Sequence, residues 1–227
     1  MSVLNILFVG SDEIARSIAK KSDSRDVDNY IYKDLKEGGL FSTISILRPN
    51  NYPDKPKPFF TSLTVSDFGI IEVNKVDGSF GEVIVSMASA GIKDGLVIIN
   101  PSEGEWVDDS QVKTLLQQAG LSNWDFIEND GILIREKLIE VLNQIKPNED
   151  DGFVVAVDQA FTVKGVGLVA IGHVQSGKVN KHDELILAGS EGNAIARSLQ
   201  VMDLDVDVAN VGDRVGLAMR TAGPFRE

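Results

Sequence analysis

The sequence predicts an α/β domain built on a largely parallel sheet, followed by a small all-β barrel. Three observations carry that expectation. Strand-like and helix-like stretches alternate from residue 4 to residue 145, the helical period disappears after residue 148, and a polar segment holding a proline and a glycine separates the two regimes. With 227 residues, 43% of them hydrophobic, the chain is long enough to bury a core in one large domain or in each of two smaller ones.

The elements follow in order. Residues 4–9 form an apolar run typical of a buried strand, and residues 12–21 have helical spacing with Ile14, Ala15 and Ile18 facing inward. Residues 41–47 and 68–73 read as strands, 81–90 as a helix, 96–100 as a strand, and 109–119 and 132–145 as helices. Residues 48–58 hold Pro49, Pro53, Pro56 and Pro58, four of the seven prolines in the chain. Proline fixes φ and has no N–H to donate, so this stretch is expected to be a loop. Residues 144–152 follow a long amphipathic helix with Pro147, Gly152 and several polar residues, which is the composition of a linker. The expected domains are therefore 1–147 and 148–227. In the second, residues 153–157, 167–174, 184–187, 194–201 and 215–220 are short strand candidates separated by Gly, Asn and Asp turns, at the regular spacing of a small closed barrel.

Charge excludes some functions. The formal net charge is -12; residues 1–149 carry 23 acids against 15 bases, and residues 150–227 carry 11 against 7. Neither half is basic, which argues against DNA and against sequence-blind nucleic-acid binding, because such affinity comes mainly from lysine and arginine on phosphates. A local or shape-specific RNA contact remains open. With no cysteine and two histidines, disulfides, thiolate metal sites and cysteine nucleophiles are out. There is no run of 18 apolar residues, and the first residues lack a basic region and a cleavage site, so a soluble, cytoplasmic protein without a membrane partner is expected.

The stretch Val157-Asp158-Gln159-Ala160-Phe161-Thr162-Val163-Lys164-Gly165-Val166-Gly167-Leu168-Val169-Ala170-Ile171-Gly172-His173-Val174-Gln175-Ser176-Gly177 resembles the opening of domain II of translational GTPases, which reads roughly D-x-x-F-x-I-x-G-x-G-x-V-x-x-G-x-V-x-x-G. Lys181-His182-Asp183-Glu184-Leu185 resembles the same family's K-x-G-D-E-V turn, and Ala209-Asn210-Val211-Gly212-Asp213-Arg214-Val215-Gly216-Leu217 its A-x-A-G-D-N-V-G-L. Order and spacing agree over about 70 residues. The group indicated is that of elongation factor Tu and the selenocysteine-specific factor, in its diverged archaeal form. The implied fold is an α/β GTPase-like (P-loop) domain followed by an all-β barrel like domain II of elongation factor Tu. Gly165 and Gly167 are expected to flank a close strand crossing, and Gly177 and Gly212 to supply turns with positive φ. The resemblance also implies that this barrel receives the aminoacyl end of transfer RNA. On the strand Arg197-Ser198-Leu199-Gln200-Val201-Met202, this makes Arg197 and Gln200 the candidate RNA contacts, with Gln200 standing where the family has an acid.

By the same resemblance, Gly10-Ser11-Asp12-Glu13-Ile14-Ala15-Arg16-Ser17 occupies the place of the phosphate loop G-x-x-x-x-G-K-[ST]. That motif works because backbone N–H groups cradle phosphates, a lysine reaches the terminal phosphates and a hydroxyl ligates magnesium. Here Ala15 replaces the second glycine and Arg16 the lysine, while Ser17 keeps the hydroxyl that would ligate magnesium. An ordinary strand-turn-helix, its acid pair favoured by the helix dipole, is the competing reading. Where D-x-P-G-H is expected, the chain reads Leu47-Arg48-Pro49-Asn50-Asn51-Tyr52, without the metal-side aspartate or the histidine that orients water. Asn74-Lys75-Val76-Asp77 matches the guanine motif N-K-x-D in letters but follows the wrong strand. The positional equivalent is Asn100-Pro101-Ser102-Glu103, which keeps only the asparagine. Gly10, Ala15, Arg16, Ser17, Asn100 and Glu103 are thus the vestigial nucleotide-site residues. No catalytic residue and no cofactor is expected; GTP or GDP with magnesium is what the resemblance would supply.

Asp203, Asp205 and Asp207 alternate as in a calcium loop, but Val208 and Arg214 stand where glycine and glutamate are needed, so a solvated strand edge is expected. His173 and His182 are expected in surface or turn positions, and Trp106 and Trp124 as packing residues. The leading functional expectation is an elongation-factor-like protein with little or no GTP hydrolysis, binding an RNA end such as that of transfer RNA, the ribosome or a translation factor. Two alternatives stand beside it: an active GTPase working through a variant phosphate loop, and a protein-interaction scaffold.

Overall fold

The computed structural model describes residues 2–35, 41–145, 152–188 and 193–221. Two compact units divide the chain, Met1–Ile145 and Lys146–Glu227. The expected boundary falls at residues 147 and 148, outside the described residues.

In the first unit a central sheet runs in the order β2-β3-β4-β1-β5-β6-β7. Its strands are β1 (Val3–Val9), β2 (Lys20–Ser24), β3 (Val27–Leu35), β4 (Phe41–Pro49), β5 (Phe68–Val73), β6 (Gly95–Ile99) and β7 (Asp125–Ile127). From β4 through β7 neighbouring strands are parallel, while β2, β3 and β4 form an antiparallel ribbon at one side. Helices α1 (Asp12–Ile18) and α5 (Gly131–Gln144) cover one face, over a core of Leu4, Ile6, Phe8, Ile44 and Ile70. Helices α2 (Pro56–Val65), α3 (Gly78–Ser89) and α4 (Asp109–Ala119) cover the other, over Leu7, Ile71, Val73 and Val97. Near-continuous apolar strands are what a sheet buried on both faces requires. Trp124 lies directly over Gly69 and Gly95; a Cβ on either glycine would stand 2.4 or 2.5 Å from the indole.

Several expectations change. The stretch 12–21 is helical only to Ile18, because the chain turns into the edge strand β2, and the β2–β3 ribbon and β7 are elements that hydrophobic periodicity did not expose. Their polar or short sequences carry little apolar signal. The proline-rich stretch is not loop throughout: β4 extends to Pro49, and Pro56 and Pro58 lie in the first turn of α2. A first turn has no internal partner for its N–H groups, so proline is tolerated there.

The second unit is antiparallel. Its main sheet runs β11-β12-β15-β9-β8, with β13 also paired to β12, and a separate ribbon joins β10 to β14. The strands are β8 (Val154–Val163), β9 (Gly167–Ser176), β10 (Lys178–Asn180), β11 (Glu184–Ile186), β12 (Asn193–Val201), β13 (Leu204–Val206), β14 (Val208–Asn210) and β15 (Arg214–Thr221). They enclose one core that includes Leu168, Val174, Val179, Leu185, Leu199 and Val215. Among the described residues the ladder ends at β8 and β11, so the unit is barrel-like without a recorded closing pair. Gly165 lies in the β8–β9 turn at φ 84° with open space around it, so it serves the turn and not a crossing. A Cβ on Gly167 would meet Met219 O of β15 at 3.3 Å, and tighter approaches fall at Gly172 and Gly177, where a Cβ would meet Ala156 O at 2.2 Å and Gly152 O at 1.9 Å.

Candidate functional site

The connection after β1 leads to α1 on one face of the sheet, and the connection after the adjacent β5 leads to α3 on the other. Diverging connections open a crevice at the carboxyl ends of those strands, the usual ligand position in such sheets. Gly10, Ser11, Glu72 and Asn100 stand there.

Only Gly10 and Ser11 separate β1 from α1, so Asp12 to Ala15, which a phosphate loop would leave as loop, are already helical. Each local choice favours the early start. The Ser11 side chain accepts from Ile14 N, Asp12 and Glu13 sit in the first turn, and Ala15 is 0% exposed in the core between α1 and the sheet. Within the crevice, Glu72 Oε2 accepts from Ser11 N at 2.5 Å and Glu72 Oε1 from Asn100 Nδ2 at 2.6 Å. One carboxylate thus bridges the turn after β1 to the residue after β6. A Cβ on Gly10 would approach Glu72 Cβ at 2.8 Å, so glycine is needed here for the side chain that fills the crevice.

Arg16 is paired to Asp12 one turn earlier on its own helix. Ser17 Oγ donates to Ile14 O at 2.7 Å, and a Cβ on Gly131 would stand 2.5 Å from it, which places the hydroxyl against the start of α5. Arg135 of α5 donates to Ser17 O and Ile18 O at 2.7 and 2.6 Å and so closes the end of α1. Glu103 is exposed in the turn between β6 and α4. The six sequence-predicted residues therefore do not converge: Gly10 and Asn100 share the crevice with Glu72, whereas Ala15, Arg16, Ser17 and Glu103 have other surroundings.

A polar network lies beside the turn. Arg48 donates to Gly10 O at 2.7 Å and to Asp28 at 3.1 Å, while Lys21 reaches Asp28 at 2.7 Å and Asp12 at 3.1 Å. Burial alone would raise the Asp28 carboxyl, but bonds from Lys21 and Ser24 outweigh it and hold it below the usual range. Hydrogen bonds from Tyr30 and then Arg16 hold Asp12 well below that range, and burial with the Asp12 bond pushes the Tyr30 phenol up to about 12. Lys75 and Asp77 of the misplaced N-K-x-D pair with each other at 3.0 Å, and Asp77 caps α3. Among the described residues no group of three or more His, Asp or Glu could hold a metal ion. A separate cavity of about 410 Å³ opens at the amino ends of the strands, lined by Asp67, Asp94, Asp125, Lys137 and Glu140 among others.

In the second unit, Arg197 sits at the register shift of β12 and donates to Val166 O at 3.4 Å. Gln200 donates to Asp205 at 3.0 Å across the β12–β13 pair. Two expectations are corrected. His173 is not at a surface or in a turn but inside β9 at 4% exposure, where burial and the neighbouring Arg214 bring its pKa down to about 4. Trp106 is not a packing residue, being 79% exposed; Trp124 is one. Sequence reasoning missed Glu72 and Arg48. The legible signal for Glu72 was a charge inside the apolar run Phe68-Gly69-Ile70-Ile71-Glu72-Val73.

A GTPase-like α/β unit with this strand order, followed by an antiparallel β unit, defines the class of fold. The relatives and structural neighbours of the chain are members of the translational GTPase superfamily. The chain is 31% identical over 215 residues, 94% of its length and 66% of the relative's, to an uncharacterized protein of Methanocaldococcus jannaschii. It is 33% identical over 115 residues, 48% of the chain and 19% of the relative, to the selenocysteine-specific elongation factor of Escherichia coli. The crystal structure of translation elongation factor SelB from Methanococcus maripaludis, in complex with the GTP analogue GppNHp, superposes with a TM-score of 0.74 at 20% identity, covering 97% of this chain and 52% of that one. The chain thus spans less than two thirds of the length of each. No protein-family model matches it.

Proposed function

We propose that the chain is a translation-factor-like binding protein with little or no GTP hydrolysis, whose partner is an RNA end such as that of transfer RNA, the ribosome or a translation factor. The similarity to elongation factors supports the translation-related role. The observation that carries the loss of hydrolysis is the Glu72 bridge between Ser11 N and Asn100 Nδ2. It sets a carboxylate at the backbone donor that a phosphate would need, and like charges repel most where water is scarce.

GTP with magnesium does not fit these residues. The cation that replaces the lysine is paired to Asp12, the hydroxyl that would ligate magnesium faces α5, and helix replaces the cradle. In the second unit, Arg197 and Gln200 are the candidate RNA contacts, although Gln200 is already bonded to Asp205.

Titration with a fluorescent GTP analogue, with and without magnesium, tests the reading. The expected result is no saturable binding at micromolar concentration. Magnesium-dependent micromolar binding would instead make the chain a GTPase with a variant phosphate loop. Co-purification with transfer RNA or ribosomal subunits is expected, and its absence together with a stable protein complex would leave the scaffold reading.

A further inference from the structure

Trp106 lies in the connection between β6 and α4 and is 79% exposed. Its surroundings are anchored on both sides. Ser102 N donates to Asn74 O at 3.4 Å, Glu105 N donates to Ser102 O at 2.9 Å, Val107 is buried in the core under α4, and Asp108 caps α4. The turn therefore holds a large indole in water while the next residue goes inside. Leaving that much apolar surface wet forfeits burial, and tryptophan is among the residue types enriched in binding hot spots.

The charged residues flanking the indole along the chain are acidic. Glu103, Glu105 and Asp109 are exposed within three residues of it, and the nearby Lys75 is already paired to Asp77 and lies in the field of Glu105. A cation is attracted by the indole face and by the flanking carboxylates together, and a planar guanidinium stacks on the ring as an ammonium cannot. An RNA base could stack on the same ring, but its phosphates would meet the carboxylates.

We infer that the Trp106 turn is a docking surface for an arginine-bearing, cationic segment of a protein partner, with a guanidinium on the indole and Glu103 and Glu105 pairing with its neighbours. This does not rest on the reading of the crevice.

The full chain contains two tryptophans, and Trp124 is buried, so quenching of the exposed emission reports Trp106. Labelled octa-arginine, octa-lysine and oligouridylate are titrated against the parent chain, Trp106→Ala, and the double variant Glu103→Gln/Glu105→Gln. Expected are saturable octa-arginine binding, a preference over octa-lysine, and affinity weakened about threefold or more by Trp106→Ala and by the double variant. Trp106→Ala changes no charge, so unchanged affinity would mean general attraction to an acidic chain and would overturn the inference. Equal binding of octa-lysine, or tighter binding of oligouridylate, would overturn it too.

Discussion

Replacing Glu72 tests whether the crevice is filled by design of the fold. Glu72 is 9% exposed and accepts two hydrogen bonds, from Ser11 N at 2.5 Å and Asn100 Nδ2 at 2.6 Å. Bonds to a charged acceptor contribute about 1.5–3 kcal/mol each, and Glu72→Ala removes both while leaving a backbone donor without its partner. Water entering the partly open crevice restores some of that loss, so the net cost should be about 3 kcal/mol. For a unit of this size that lowers Tm by about 6–12 °C. Glu72→Gln keeps the shape: its oxygen can still accept from Ser11, and its amide can donate to a rotated Asn100 side chain. It loses only the charge, a cost of about 1 kcal/mol. Thermal and urea unfolding in a Trp106→Phe background reads the first unit alone through Trp124, which is 5% exposed. A loss below about 1 kcal/mol for Glu72→Ala, or equal losses for the two variants, would refute the argument that the carboxylate is a structural bridge.

Two further outcomes follow from the same geometry. Restoring two motif residues with Ala15→Gly/Arg16→Lys should not create magnesium-dependent binding of a fluorescent GTP analogue, because the helix still starts beside Ser11 and Glu72 still holds its N–H. The same pair should cost about 2 kcal/mol in urea unfolding, through lost helix propensity and a buried methyl; micromolar nucleotide binding would count against the filled-crevice account. In the second unit the folded state disfavours protonation of His173, whose pKa falls from 6.5 to about 4. Below pH 6.5 the unfolded chain binds the proton more readily, so stability present above pH 6.5 is lost as pH falls toward 4. The ring resonances followed by NMR should not titrate between pH 7 and 5, and a His173 signal moving near pH 6.5 would contradict its burial beside Arg214.

By itself the sequence determined what depends on local pattern. The apolar runs of β1, β5 and β6 and the helical spacing of α4 and α5 were legible because periods of two and 3.6 are written into neighbouring residues. The glycines and turn motifs of residues 157–217 marked the second unit and its superfamily, because turns constrain residue type at each position. Local pattern also exposed that Ala15 and Arg16 depart from a phosphate loop. It could not show which group meets the Ser11 N–H, since Glu72 is 61 residues from Ser11 and 28 from Asn100 along the chain. Only parallel pairing of β1 with β5 and of β5 with β6 brings those three together. The turn of Ser17 toward α5, the burial of His173 and the exposure of Trp106 were likewise decided by which surfaces meet. Burial is a property of packed neighbours, and a single residue's letter does not contain them.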